Sequence, residues 1–289
     1  MRGIAQSMGL APVSMITPGA RGRMSGGLSI RMKILSRVVN LGKGAIGIAV
    51  TVAIWEAARE LGFVDPRDLP SAAAIVGVAV ADLWGGDLSH AVLATIGSWA
   101  PGLAIAAVAG AVAGIALALL PRLEIATRPL LEFLRPIPSV ALIPVALLVL
   151  GIGLQMQLFM IAFASIWPIL FSTKTGVEGV DPRFVETGRV LHIGRTARIL
   201  RIVLPAMLPS FATGLRTASA IALVVAITVE MLTGQAGIGS YIENVRLNGL
   251  IAEMWASIFV TGVLGYLVNT LFMTVERAVM PWSTENRDR

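Results

Sequence analysis

The stretch 185–208, VETGRVLHIGRTARILRIVLPAML, places charged side chains between two long apolar segments. Its basic or potentially basic residues are Arg189, His192, Arg195, Arg198 and Arg201. Its only acid is Glu186. Three of the arginines recur at every third position, so a helix would gather them on one side and leave an apolar side opposite. Such a surface can rest on anionic lipid headgroups or dock onto a soluble protein, and these residues alone leave both interpretations open.

No pattern in the sequence indicates catalysis or metal binding. The chain has no cysteine and two histidines, and it contains no GxSxG, HExxH or GxxxxGK[ST] motif. We interpret His90 as a polar residue at the membrane interface rather than as a metal ligand. We therefore expect a chain that is not an enzyme and that holds no cofactor and no metal of its own.

The composition indicates a membrane protein. The chain is 56% hydrophobic and 14% charged, whereas charged residues make up roughly 25% of soluble domains. Residues 88–121 and 136–173 contain no Asp, Glu, Lys or Arg. About 20 apolar helical residues cross the hydrocarbon core of a bilayer. We predict an all-α polytopic membrane protein, and we attribute the net charge of +6 to membrane topology rather than to nucleic-acid binding.

About six transmembrane helices are predicted. The spans cover 44–62, 100–120, 136–151, 156–173, 209–232 and 256–278. Between them, segments rich in Lys and Arg alternate with segments poor in them, which places both termini and the segment 174–208 in the cytoplasm. This order requires a short outer turn at Gly151–Leu154 between spans three and four.

Three regions are expected along the chain. Residues 1–43 form a basic cytoplasmic tail without a fixed structure, 44–280 form one transmembrane domain, and 281–289 form a cytoplasmic C-terminal tail. The basic, acid-free tail also has the composition of a transit peptide, and Met24 and Met32 are alternative starts to Met1. Residues 71–84 are predicted to form a short helix at the membrane surface.

Two features within the spans suggest close packing or movement. Gly110 and Gly114 form a GxxxG pattern, which indicates either contact with another span or subunit or merely a helix rich in small residues. Pro136, Pro138 and Pro144 fall within nine residues of span three. Prolines interrupt the helical hydrogen bonds, so this span is a candidate for a moving or pathway-lining helix.

Span five carries two charges, Arg216 and Glu230. At 1.5 Å per residue they lie about 21 Å apart along the helix and cannot pair with each other. Intramembrane charges face a wet pathway or reach towards the interfaces. We assign Arg216, with Thr217 and Ser219, to a candidate substrate pathway that suits an anionic solute, and we assign no role to Glu230.

The stretch 181–208 is predicted to form two short helices. Asp181 suits a helix N-cap and Pro182 suits the first turn. Gly188 and Gly194 permit close approach or a bend. Pro205 is expected to prevent a smooth continuation into span five.

Residues 186–205 resemble the EAA loop of ABC importer permeases. That motif reads Glu-Ala-Ala, three residues, Gly, nine residues, Ile, one residue, Leu-Pro. Glu186, Ile202 and Leu204-Pro205 match, Thr187 and Gly188 replace the two alanines, and His192 takes the position of the glycine. The resemblance implies a cytoplasmic coupling loop over 181–205, between spans four and five. Its ATPase-coupling residues would be Glu186, Thr187, Gly188, His192, Gly194, Ile202, Leu204 and Pro205.

Further stretches are similar to the nitrate, sulfonate and taurine subgroup of these permeases, over roughly residues 55–280. They are LPSA at 69–72, RPIPSVALIPVALLVLGIG at 135–153, PILFSTKTGVEGVDPRFVETGRVL at 168–191, LPAMLPSFATGLRTASAIALVVAITVEML at 204–232 and GIGSYI at 237–242. The resemblance implies import of a small anionic solute such as nitrate, a sulfonate or taurine across the plasma membrane by alternating access.

The resemblance also implies partners. They are two copies of an ABC ATPase that binds ATP and Mg²⁺, a second permease subunit in a homodimer, an extracytoplasmic solute-binding protein and membrane lipid, but no nucleic acid. The alternatives are an ion-driven secondary transporter and a membrane scaffold. The first of these predicts internal repeats and carboxylates at the middle of the membrane.

Overall fold

The computed structural model describes residues 44, 46–65 and 67–280, so the predictions for the tails 1–43 and 281–289 lie outside the described residues. The described residues form helices and connecting turns, with no strand among them. The chain divides into two compact units, Met1–Glu60 and Leu61–Arg289. In the first unit, a helix α1 runs over 46–60 and carries an ion pair between Arg59 and Glu56 at 3.1 Å.

The second unit contains the other helices. In chain order they are α2 (Ala72–Gly85), α3 (Asp87–Leu119), α4 (Pro121–Leu134), a 3₁₀ turn (Ser139–Leu142), α5 (Ile143–Leu150), α6 (Leu154–Glu178), α7 (Pro182–Val190), α8 (Arg195–Arg198), a π-helical turn (Ile199–Val203), α9 (Leu204–Thr233), α10 (Ile238–Leu247) and α11 (Ile251–Val279).

Four described helices are long and apolar enough to cross a membrane, which confirms the polytopic all-α class. They are Asp87–Leu119, Leu154–Glu178, the continuous run Arg195–Thr233 and Ile251–Val279. The pair Pro121–Leu134 and Ser139–Leu150 would make a fifth span if it crosses as one bent unit. The count of six stays a prediction.

The core of the second unit lies where α3, α6 and α9 pack together. Fully buried residues such as Ala106, Met160 and Ala222 contribute to one apolar cluster. A Cβ added at Gly110 would lie 3.0 Å from the Cβ of Ile169 in α6. The GxxxG pattern therefore lies at a contact between α3 and another span, which was the first of the two interpretations of this pattern.

Predicted span three, 136–151, contains only the 3₁₀ turn and α5, and it follows a sharp bend at the end of α4. The axes of α4 and of the following 3₁₀–α5 segment differ by 86°. The break falls at Pro136 and Pro138, which cannot donate backbone hydrogen bonds. The eight residues of α5 extend only about 12 Å, which is too short to cross a bilayer alone. The predicted turn at Gly151–Leu154 is present, with φ of 72° at Gly151.

The expectation that Pro205 interrupts the chain is wrong, because one helix continues from Arg195 to Thr233. The π-helical turn immediately precedes Pro205, and Pro205 lies in the first turn of α9. A π turn shifts the backbone out of the α-helical hydrogen-bond register, and helices accommodate a disruptive ring at such places. Of the predicted coupling loop 181–205, which we call the coupling segment, the part from Arg195 onward therefore belongs to the same helix as span five.

The short helix predicted at 71–84 is present as α2. The Ser71 hydroxyl caps it by accepting a hydrogen bond from the backbone N–H of Ala74 at 3.2 Å. Its buried residue Ala79 packs in a cluster with Ala256 and Val260 of α11. Its placement at the membrane surface stays a prediction.

Candidate functional site

The first helix of the coupling segment, α7, begins as the sequence predicts. The Asp181 carboxylate accepts a hydrogen bond from the backbone N–H of Arg183 at 2.9 Å, and Pro182 occupies the first turn. Acceptor side chains at this position satisfy an N–H group that has no partner within the helix. A nine-residue helix is therefore fixed at its start by two adjacent residues.

His192 ends α7 in a left-handed conformation, with φ of 55°. The N–H of Ile193 donates to the carbonyl of Gly188 at 2.9 Å, and the N–H of His192 donates to the carbonyl of Arg189 at 3.0 Å. These two bonds form a Schellman motif, in which glycine is the usual residue at the left-handed position. The structure thus explains why the related motif has glycine where this chain has histidine.

The two parts of the coupling segment meet at Gly188. Gly188 is buried, and a Cβ there would lie 3.0 Å from Cδ1 of Ile202 and 3.3 Å from Cδ of Arg198. A larger residue would push α7 away from the helix that continues into α9. Gly194, in contrast, is exposed, and a Cβ added there would have no neighbour within 4 Å. It immediately precedes α8.

The outer surface of α7 and its C-terminal turn combines apolar and charged side chains. Phe184 and Leu191 are 63% and 66% exposed. Glu186 and Thr187 are also exposed, and the Thr187 hydroxyl donates to the carbonyl of Arg183 at 2.8 Å. The Glu186 carboxylate makes no hydrogen bond or ion pair with the described residues. We call Phe184, Glu186, Thr187 and Leu191 the α7 surface.

Two further motif residues lie where the π turn ends and α9 begins. Leu204 is partly buried and packs beside Val203 and Met207 in a small apolar cluster. Pro205 is exposed. The motif residues therefore fall into two groups. Gly188, Ile202 and Leu204 pack against other parts of the protein, and the remaining exposed residues are accessible to a partner.

The candidate pathway residues do not share one face of α9. Arg216 lies 3.8 Å from the Glu276 carboxylate of α11, a partner that the sequence analysis missed. Ser219 is buried, where its hydroxyl donates to the carbonyl of Arg216 at 2.7 Å and its own carbonyl accepts from the indole N–H of Trp99 at 3.0 Å. Only Thr217 is exposed.

A groove lined by hydroxyl groups runs between α6 and α9, and the sequence analysis missed it too. Its cavity volume is about 310 Å³, and its lining residues are Phe171, Ser172, Thr175, Ser210 and Thr213. Glycines set its width, since a Cβ at Gly176 would lie 2.7 Å from the Cβ of Ser210 and one at Gly214 would lie 2.7 Å from that of Ser172. The sequence did contain a signal for this groove, because α6 carries both Ser172 and Gly176 and α9 carries both Ser210 and Gly214.

The Glu230 carboxylate is fully buried at the other end of α9. It accepts hydrogen bonds from the Thr95 hydroxyl at 2.9 Å, from the Gln157 amide at 3.0 Å and from the backbone N–H of Gly239 at 3.1 Å. The Thr95 hydroxyl in turn accepts from the N–H of Ile238 at 2.8 Å. Four helices, α3, α6, α9 and α10, therefore meet at one carboxylate.

Comparison with protein families agrees with this architecture. The model of the family described as "Binding-protein-dependent transport system inner membrane component" matches residues 106–284.

Individual relatives carry names of the same kind. SsuC of Bacillus subtilis, whose name describes an aliphatic sulfonates transport permease protein, is 29% identical over 83% of this chain and 87% of its own. The nitrate import permease protein NrtB of Leptolyngbya laminosa is 31% identical over 63% of this chain and 65% of its own. The bicarbonate transport system permease protein CmpB of Synechocystis is 30% identical over 65% and 68%.

The fold is also that of a solved transporter. A chain of the MetNI methionine ABC transporter in an inward-facing conformation aligns with a TM-score of 0.59 and 17% sequence identity. The alignment covers 66% of this chain and 95% of that chain.

Proposed function

Since the chain belongs to the family of binding-protein-dependent transport system inner membrane components, we propose that the α7 surface is where its cytoplasmic ATPase binds. The protein is a multi-pass permease subunit of an ABC importer. The observation that carries the proposal is the exposure of Phe184, Glu186 and Leu191 on a helix that is fixed against Ile202 at Gly188.

The chemistry of the α7 surface suits a protein partner better than lipid headgroups. Burying the Phe184 and Leu191 side chains would each contribute about 2 kcal/mol. Glu186 has no described partner, and an acid would be repelled by anionic headgroups, whereas a lysine or arginine of a soluble protein could pair with it. Force applied to α7 would pass through Gly188 to the helix that continues into α9.

The remaining partners follow from the family. We infer two ATPase copies that hydrolyse ATP with Mg²⁺, a second permease subunit in a homodimer and an extracytoplasmic solute-binding protein, with both termini of this chain in the cytoplasm. The chain itself would then need no cofactor, because hydrolysis takes place in the ATPase.

We infer that the solute is a small oxyanion. The names of the relatives specify nitrate, bicarbonate and aliphatic sulfonates, and a taurine-like sulfonate belongs to the same chemical class. The hydroxyls of Ser172, Thr175 and Ser210 make no hydrogen bond with a described residue and could donate to such an anion in the groove. Arg216 and Thr217 would extend this path along α9. Ser219 would support Arg216 from the buried side.

A pull-down in detergent tests the docking proposal. The tagged chain is co-expressed with its ATPase, and the amount retained is compared among wild type, Glu186→Arg and Phe184→Ala. Asn244→Arg, at an exposed position of α10, is the matched control for a change of surface charge. We expect wild type and the control to retain the ATPase and both α7 variants to lose most of it. Equal retention by all four proteins would refute docking on the α7 surface, and no retention by wild type would refute the ATPase partnership.

A further inference from the structure

The hydrogen bonds of Glu230 connect α9 to three other helices, and the proposed function does not explain this connection. Glu230 belongs to α9, which is continuous with the second part of the coupling segment, since a single helix spans Arg195–Thr233. Two of its bonding partners, Thr95 and Gln157, lie on α3 and α6. The third is the backbone of Gly239 in the first turn of α10. The carboxylate thus binds the end of α9 to the beginning of the next helix.

The backbone around this carboxylate leaves no room for side chains. A Cβ at Gly237 would lie 2.1 Å from Cδ of Glu230. A Cβ at Gly239 would lie 2.1 Å from the carbonyl oxygen of Ile227. Both contacts are far closer than real Cβ contacts, so the sequence Gly-Ile-Gly permits α10 to approach α9 this closely.

These hydrogen bonds also provide acceptors for backbone N–H groups at the N-terminus of α10. The first N–H groups of a helix have no acceptor within the helix, and a negative charge near them is favoured by the helix dipole. Here Glu230 accepts the N–H of Gly239, while the Thr95 hydroxyl accepts the N–H of Ile238 and donates its own proton to Glu230. Thr95 is thus a relay that requires a hydroxyl, because it uses one donor and one acceptor at once.

We propose that Glu230 fixes α10 to α9, so that the two helices move as one unit when the coupling segment at the far end of the same helix moves. Glu230 is then a positioning residue for transport. About 26 residues, or roughly 39 Å of helix, separate it from Leu204. A displacement at the coupling segment would thereby change the position of α10 at the opposite end of the bundle. This inference rests on the proposed importer function.

The first test uses the permease, its ATPase and its binding protein reconstituted in vesicles, with ATP hydrolysis and uptake measured separately. Thr95→Val removes the relay and keeps the volume, whereas Thr95→Ser keeps the hydroxyl and is the matched control. We expect Thr95→Val and Glu230→Gln to lower uptake about ten-fold, since each disrupts hydrogen bonds of a buried carboxyl group. Basal ATP hydrolysis should stay within about two-fold of wild type, and Thr95→Ser should transport normally.

A merely structural role predicts another result. If Glu230 only stabilised the fold, basal hydrolysis and the amount of assembled complex would fall together with uptake, and that outcome would overturn the proposal. Wild-type uptake by Thr95→Val would overturn it as well. Failure of wild type to bind the ATPase would instead refute the proposed function, on which the inference depends.

A second test needs no ATPase. The chain contains no cysteine, so cysteines introduced at the exposed positions Leu232 in α9 and Leu247 in α10 would be the only sites for spin labels. The distribution of distances between the labels should be narrow in the otherwise wild-type chain and with Thr95→Ser, and broad with Thr95→Val. The same narrow distribution in all three proteins would show that Glu230 and Thr95 do not hold α10 in place.

Discussion

Gly114 of α3 lies directly against the backbone of Leu170 in α6: a Cβ at position 114 would stand 2.6 Å from the Leu170 carbonyl oxygen. It would also lie 2.8 Å from Cβ of Thr173. Backbone atoms cannot turn aside as a flexible side chain can, so a methyl group at position 114 must separate the two helices.

We therefore expect Gly114→Ala to destabilise the protein by about 1–3 kcal/mol, the usual range for overpacking. Gly97 of the same helix has no neighbour within 4 Å of an added Cβ, so Gly97→Ala is the matched control and should be neutral or slightly stabilising. Thermal unfolding in detergent measures both. A Gly114→Ala protein as stable as Gly97→Ala would contradict the close packing of α3 on α6.

The left-handed conformation of His192 predicts a stabilising substitution. A residue with a Cβ pays about 1 kcal/mol for this conformation, whereas glycine does not. We expect His192→Gly to raise the free energy of unfolding by about that amount. The neighbouring Leu191 has φ of −77°, so Leu191→Gly should instead destabilise α7. Hydrogen exchange of the α7 amides would report the change locally, and faster exchange in His192→Gly would contradict the assignment.

Tyr241 of α10 donates a hydrogen bond to the Asp82 carboxylate of α2 at 2.5 Å. Burial, followed by this bond, raises the pKa of Tyr241 above its usual value near 10. A raised pKa in the folded state means that the contribution to stability is complete below about pH 10 and declines as pH rises towards the folded-state pKa.

We accordingly expect wild type to exceed Tyr241→Phe by about 1–2 kcal/mol at pH 8, and to lose stability more steeply than this variant as the pH rises above about 10. The only other tyrosine, Tyr266, makes no hydrogen bond with a described residue, and Tyr266→Phe is the control. Melting temperatures across this pH range test the expectation. Parallel pH profiles for wild type and Tyr241→Phe would exclude it.

The pair formed by Arg216 and Glu276 predicts opposite effects of two neutral variants on uptake. Arg216→Gln removes the positive charge on the proposed path, so the KM for an oxyanion should rise. Glu276→Gln removes the opposing charge and leaves Arg216 intact, so the KM should fall. A partly exposed pair contributes about 1 kcal/mol or less, which corresponds to changes of a few-fold. Initial rates at several solute concentrations measure both, and shifts in the same direction would disprove a role for this charge.

Local signals in the sequence predicted much of the coupling segment. The cap at Asp181, the close approach at Gly188 and the break between α7 and α8 each depend on a few adjacent residues. The resemblance to the EAA loop likewise depends on residues close together in the sequence, 186–205. Such features can be predicted because the atoms that decide them are neighbours along the chain.

The features that the sequence analysis missed involve residues far apart along the chain. Glu230 bonds to Thr95, 135 positions away, and Arg216 pairs with Glu276 on another span. Each span in isolation shows only a charge in an apolar run, and its partner depends on how the helices pack. The continuation through Pro205 was mispredicted for a different reason, since a π turn carries no reliable pattern of residue types.

That π turn has a consequence for how the coupling segment is aimed. One extra residue in a helical turn rotates everything before it by about 100° relative to everything after it. The π turn Ile199–Val203 therefore determines the direction, around the axis of α9, in which α8 and α7 project. It does so without changing which residues α7 and α8 contain. Deleting a single residue there would keep the α7 surface and point it in a different direction, so we expect the proposed ATPase contact to depend on the phase of the helix as much as on its chemistry.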